Sequence, residues 1–205
     1  MPNWCDNQIT ITGPNSVIDK IEKIVKEEDK SDIGFLQFLH PMPDALKNTT
    51  ADGSKKPKLK KLTGHDDWYS WCTDNWSTKW DVNEFYGVDR KDNTISFAFS
   101  SAWAPPIGAY EHFLEKNEKC SLKAYYYEGG CDFAGLWEDG IDDCIAPSDY
   151  KSDDEFWNDG LGYDIEEQFN FLESMAEYEA EQEEANKEDV TEYVKGKAIN
   201  IGEEA

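Results

Sequence analysis

The 205-residue chain carries 44 Asp and Glu against 20 Lys and Arg, a formal net charge of −24 at pH 7, and 14% of its residues are aromatic. That much aromatic bulk supports a packed core and excludes wholesale disorder, while the charge repels nucleic acid and anionic membranes and attracts basic surfaces. The charge is uneven: residues 1–128 hold 16 Lys and Arg against 20 Asp and Glu, whereas residues 129–205 hold 4 Lys against 24 Asp and Glu. The five cysteines (Cys5, Cys72, Cys120, Cys131, Cys144) are an odd number with irregular spacing, and neither a leader pattern nor a membrane-spanning run is visible. These features point to a cytoplasmic protein with reduced thiols.

The opening "MPNWCDNQITITG" alternates, with Cys5, Ile9 and Ile11 on one face and Gln8, Thr10 and Thr12 on the other. Period two closed by Gly13-Pro14 predicts a half-buried strand. Asn15 or Ser16 then caps a predicted helix in which Val17, Ile18, Ile21, Ile24 and Val25 recur at helical spacing. Residues 30–67 read as an irregular insertion whose lysine-rich part, "KKPKLKK" (Lys55 to Lys61), is an exposed loop. "DDWYSWCTDNW" predicts a short helix with Trp68, Trp71 and Cys72 on one face.

"KWDVNEFYGV" and "TISFAFSSAW", around the turn cluster "DRKDN", predict a β-hairpin. "APPIGAYEHFLEKN" follows as a helix with Ile107, Tyr110, Phe113 and Leu114 on its apolar stripe, and "CSLKAYYYEGG" and "DFAGLWEDG" read as two further strands. The order β-α-(insertion)-β-β-α-β plus one strand is that of a ferredoxin-like, split βαβ antiparallel sheet with both helices on one face. From residue 141 the chain is acidic and loop-like, and "DIEEQFNFLESMAEYEAEQEEANK" predicts one helix with an apolar stripe of Ile165, Phe169, Leu172 and Met175–Ala176. The fold class is therefore α+β: a ferredoxin-like domain over residues 1–140 and an acidic, mostly helical extension over 141–205.

Three stretches in order, "MPNWCDN" opening a strand, "NWSTKWDV" entering the hairpin and "SSAWAPP" leading into the second helix, resemble the YubB-type ferredoxin-like domain family, and "FAGLWEDG" fits that family's closing strand. The resemblance covers about residues 1–140. It implies a ferredoxin-like fold and an origin on a phage, plasmid or other mobile element, and it implies no particular activity.

Candidate sites divide into two sets. Trp4, Trp76, Lys79, Trp80 and Trp103 could meet where strand ends converge, either as core and rim filling or as a platform that stacks a base or nucleotide. The second set is acidic: Glu138, Asp139, Asp142, Asp143, Asp153, Asp154, Glu155, Glu166, Glu167, Glu173, Glu177, Glu181 and Glu184. Residues 164–184 hold nine carboxylates. As one helix they would extend about 31 Å and carry a negative charge every ~3.5 Å, against a phosphate about every 3.4 Å along a DNA strand. That surface either imitates DNA toward a basic partner or simply keeps the chain soluble. His40, His65 and His112 form no metal-ligand spacing with the cysteines, and "DYKSDDEFWNDG" lacks the EF-hand pattern, so neither a metal nor a cofactor is expected. Pro2 and Cys5 are the only nucleophile candidates, and Cys5 has no local His or cation to activate it.

The expectation is a non-catalytic mobile-element protein that inhibits a nucleic-acid-handling or defence protein of the host through residues 138–184. Its alternative is a nucleotide or single-strand binding module, with the acidic extension solubilising or autoinhibitory.

Overall fold

The structure, a computed structural model, describes residues 3–27, 34–150 and 159–170. It is α+β, built on a six-stranded antiparallel sheet. In chain order the elements are β1 (Trp4–Thr12), α1 (Asn15–Glu27), α2 (Phe35–Leu39), α3 (Pro57–Thr63), α4 (Trp68–Trp76), β2 (Tyr86–Lys91), β3 (Thr94–Ala102), α5 (Ile107–Lys116), β4 (Ser121–Glu128), β5 (Phe133–Glu138) and β6 (Ile141–Ile145), then a 3₁₀ turn (Pro147–Asp149) and α6 (Gly160–Phe169). The strand order is β2-β3-β1-β4-β5-β6. The chain divides into two compact units, Met1–Ile165 and Glu166–Ala205. Among the described residues, no helix is long and apolar enough to cross a membrane.

Alternation in β1 sets the two faces of the sheet. Cys5, Asn7, Ile9 and Ile11 are buried, and they join Ile18, Ile21 and Val25 of α1 and Ala109, Tyr110 and Phe113 of α5 on the helix-covered side. Phe35, Phe97 and Phe99 pack there with ring centroids 5.2–5.8 Å apart around Phe35, the edge-to-face geometry that aromatic quadrupoles favour. Arg90 fastens β2 to α1, donating from Nη1 to Asp19 Oδ1 (2.8 Å) and Glu22 Oε2 (2.7 Å). The opposite face is polar in its middle, where Thr10 and Ser96 (2.9 Å) and Thr12 and Thr94 (2.9 Å) pair through their hydroxyls.

Four local expectations are corrected. The 30–67 insertion contains α2 and α3 rather than irregular chain alone. The amides of Leu36 and Gln37 donate to the Asp81 carboxylate at 2.7 and 3.1 Å, so α2 is capped by a residue distant in sequence. The lysine-rich stretch forms α3, with Pro57 at its start and Gly64 (φ 85°) in the left-handed conformation that closes it. The hairpin turn is only Asp92-Asn93, between Lys91 and Thr94. Residues 141–145, expected as loop, are β6, paired with β5 from Ala134↔Ile145 to Glu138↔Ile141.

The helix expected to run on from Asp164 ends at Phe169. Asn170 takes φ 48°, and its N–H bonds the Glu166 carbonyl at 2.8 Å. Asparagine tolerates that left-handed geometry and terminates helices with it. The expected helix therefore does not run unbroken from Asp164, and residues 171–184 of that expectation lie outside the described residues.

Candidate functional site

The β5–β6 hairpin forms one edge of the sheet. Residues 129–150 hold six Asp and Glu and no Lys or Arg. Glu138, Asp139, Asp142 and Asp143 are all exposed, and among the described residues none of them makes an ion pair. The pairing Glu138↔Ile141 and Leu136↔Asp143 puts Glu138 and Asp143 on one face as diagonal neighbours, about 7–8 Å apart. Two of the four have structural duties as well. Asp139 accepts the Leu122 N–H at 2.8 Å, and Asp142, on the helix-covered face, accepts the Tyr126 hydroxyl at 2.7 Å. Burial and the Asp142 carboxylate together push the Tyr126 phenol well above its ordinary range, so it remains a donor.

Of the remaining acidic candidates, Glu166 is buried and Glu167 exposed on α6. Asp153, Asp154, Glu155, Glu173, Glu177, Glu181 and Glu184 lie outside the described residues.

The tryptophan set splits. Trp76 is 2% exposed, sits 5.4 Å from Trp71 and donates its indole N–H to the His40 carbonyl at 2.8 Å, so it belongs to the core and not to a surface cluster. Trp4, Lys79, Trp80 and Trp103 do come together. The Trp4 and Trp80 centroids are 6.2 Å apart at 55°, and Lys79 Nζ lies 4.5 Å from the Trp80 centroid and 5.0 Å from that of Trp103. Trp4 is 48% and Trp103 37% exposed.

The chain's path explains this arrangement. After α4, Ser77 turns in the left-handed region (φ 65°), and residues 77–85 run without helix or strand to β2. Thr78 Oγ1 donates to the Ala102 carbonyl at 2.6 Å, and Asp81 caps α2, so Trp80 is held between two anchors. Burial raises the Asp81 carboxyl above the ordinary range, and the amides of Leu36, Gln37 and Val82 pull against that shift. Trp103 is also left-handed (φ 75°), with its N–H on the Asn3 carbonyl at 2.9 Å. A tryptophan there costs backbone strain, about 1–3 kcal/mol.

Beside this cluster, on the face of the sheet away from the helices, lies an open cleft of about 490 Å³ lined by Trp4, Asp6, Trp80, Glu84, Tyr86 and Ser100, among others. Ser100 Oγ donates to Asp6 Oδ1 at 2.7 Å and the Tyr86 hydroxyl to Glu84 Oε2 at 3.3 Å. Asp6, Glu84 and Tyr86 escape motif reasoning. The available signal is the alternation of β1, which places Asp6 on the face of Trp4, and the register Asp6↔Ser100 and Tyr86↔Ala98, which completes the patch.

Cys5 is fully buried, and burial, with the charges of Asp6 and Glu128, pushes its thiol far above the ordinary range. A thiol in that state is a small apolar core group rather than a nucleophile. Pro2 lies outside the described residues. No group of three or more His, Cys, Asp or Glu is placed to hold a metal ion among the described residues.

No family model and no curated protein matches the chain. Among solved structures, it is similar to the crystal structure of a protein api92 from Yersinia pseudotuberculosis, family-model DUF1281, at 12% identity and a TM-score of 0.41, covering 74% of this chain and 97% of that chain. At that level the likeness carries no functional argument.

Proposed function

We propose that the protein is a non-catalytic accessory protein of a mobile element, acting in the host cytoplasm, that binds the basic surface of a nucleic-acid-handling or defence protein and inhibits it by standing in for nucleic acid. The observation that carries this is the β5–β6 edge: a paired hairpin within a stretch of six carboxylates and no Lys or Arg, with Glu138 and Asp143 presented together and a single lysine, Lys123 of β4, opposite Glu138. Their spacing is of the order of that between successive backbone phosphates, and a hairpin holds it without the continuous helix that Asn170 interrupts. Charge on a sheet edge also discourages edge-to-edge aggregation, but that role needs one or two charges, not an uninterrupted acidic segment.

The fold belongs to the same proposal. The crossover β1-α1-β2 spans β3 and the crossover β3-α5-β4 spans β1, which supports a ferredoxin-like split βαβ core with β5 and β6 added to one edge. That topology agrees with the YubB-type resemblance, and so with an origin on a phage or plasmid.

The test is capture of partners from nuclease-treated bacterial lysate by the full chain and by a Glu138→Gln/Asp143→Asn variant. The expected result is a basic nucleic-acid-handling protein retained by the native chain, lost by the variant and competitively released by added double-stranded DNA. Equal retention by the variant contradicts the proposal.

A further inference from the structure

The cleft beside Trp4 and Trp80 is separate from the acidic edge and differs from it in chemistry. Its lining is aromatic and anionic at once: two indoles meet at 55° with 6.2 Å between centroids, Tyr86 is 58% exposed, and Asp6 and Glu84 supply carboxylates, with no Lys or Arg on the wall. Lys79, next to Trp80 in the chain, is already placed over Trp80 and Trp103. Arg90 of β2 pairs with Ile95 and is fixed on the helix-covered face by Asp19 and Glu22.

A phosphate entering this cleft would meet carboxylates and no Lys or Arg of the lining, which argues against the nucleotide-stacking use of the same tryptophans. A cation would meet the negative faces of aromatic rings and two carboxylates, a combination suited to an ammonium group. Lys79 Nζ, 4.5 Å from the Trp80 centroid, already places one positive charge against the same ring. A volume of about 490 Å³ falls within the range of small-ligand sites.

Ring area left in water selects further. A compact NH₃⁺ is strongly hydrated and loses that hydration on entering an aromatic wedge, whereas a methylated ammonium is weakly hydrated and presents apolar surface to the rings. We propose that the cleft lined by Trp4, Trp80, Tyr86, Asp6 and Glu84 is a binding site for a methylated ammonium group, carried either on a lysine side chain of a protein or on a free small cation.

Titration of the ¹⁵N-labelled full chain tests this, read at the indole N–H resonances of Trp4 and Trp80, each assigned by its Trp→Phe variant. The probes are free trimethyllysine, a short peptide bearing trimethyllysine, and a peptide in which a neutral tert-butyl isostere replaces the trimethylammonium. Saturable shifts with either charged probe and a weaker response to the isostere are expected. Tighter binding of the peptide marks a protein side chain as the source, and equal or tighter binding of the free amino acid marks a small molecule. The substitutions Asp6→Asn and Glu84→Gln, both at exposed positions that leave the fold intact, should together weaken binding about tenfold. No shift with either charged probe, or equal binding of the neutral isostere, overturns the proposal.

Discussion

Trp71 and Trp76 on α4, and Trp4 on β1 with Trp103 just past β3, are the same residue put to opposite uses. The first two are 4% and 2% exposed and packed edge to face; Trp4 is 48% exposed in a cleft with Asp6 and Glu84, and Trp103 is 37% exposed beside Lys79. Residue type does not decide between them. Trp71 and Trp76 lie with Cys72 on the one face of a short helix that meets the core, whereas Trp4 takes the uncovered side of an alternating strand whose other side holds Cys5, Ile9 and Ile11. Large rings left in water are informative because burial of such a side chain is so favourable. In this molecule the helix-covered face holds the buried core, and the opposite face leaves aromatic and charged side chains in water.

The largest effect should come from breaking the covered side. Trp76→Ala removes a buried indole and its hydrogen bond to the His40 carbonyl, and should lower unfolding free energy by about 3–5 kcal/mol in urea denaturation. Trp4→Ala, on the open face, should cost well under half of that. A comparable loss from both would erase the distinction between the two sets.

Gly34→Ala is expected to cost about 1–3 kcal/mol, because a Cβ there would collide with the Asp81 carboxylate that caps α2; a neutral result in thermal unfolding would mean that the cap relaxes without loss.

Acidification probes the covered side in another way. The His40 and His112 rings stack 3.6 Å apart at 2°, and burial lowers both imidazoles below the ordinary 6.5, assisted by His112 beside His40 and by Lys116 beside His112. The unfolded chain therefore takes up protons first as pH falls. Stability should be full above about 6.5 and decline below it, with a shallower decline in His112→Gln. An identical profile in the variant would mean that the stacked pair does not set the decline.

Two smaller effects concern the open face. Lys79→Met should cost about 0.5–1 kcal/mol, the worth of a partly exposed cation–π contact, together with a changed indole environment in fluorescence. Glu138→Gln and Asp143→Asn should leave the melting temperature nearly unchanged, since exposed surface substitutions fall within about 0.5 kcal/mol; a large loss of stability would make the acidic edge a structural element rather than a binding one.

Local signals made much of this legible in the sequence. Alternation in β1, helical spacing in α1 and α5, and the two-strand pattern around Asp92-Asn93 each reflect a short-range rule that the structure keeps. The features that escaped depend on distant partners or on edge position. Helix α2 is only five residues long and is capped by Asp81 across the fold, so no neighbouring residue announces it. Strand β6, "IDDCI", reads as loop because an edge strand exposes its carboxylates to water and its apolar alternation is lost. Trp76 could have been assigned to the core from its spacing of four after Cys72, whereas Asp6 and Glu84 meet in one cleft only through the register of β1 on β3 and the path of residues 77–85. The stop at Asn170 carries a known tendency of asparagine, but a strong acidic helix pattern runs through it.

The proposed role of the acidic edge is to occupy a nucleic-acid-binding surface of a partner protein. Its most direct measurement is the affinity of the full chain for its captured partner across a salt series, with and without competing double-stranded DNA. Nucleic-acid mimicry predicts an affinity that falls steeply with salt and a complex that DNA displaces competitively. A complex indifferent to salt and undisturbed by DNA would contradict it.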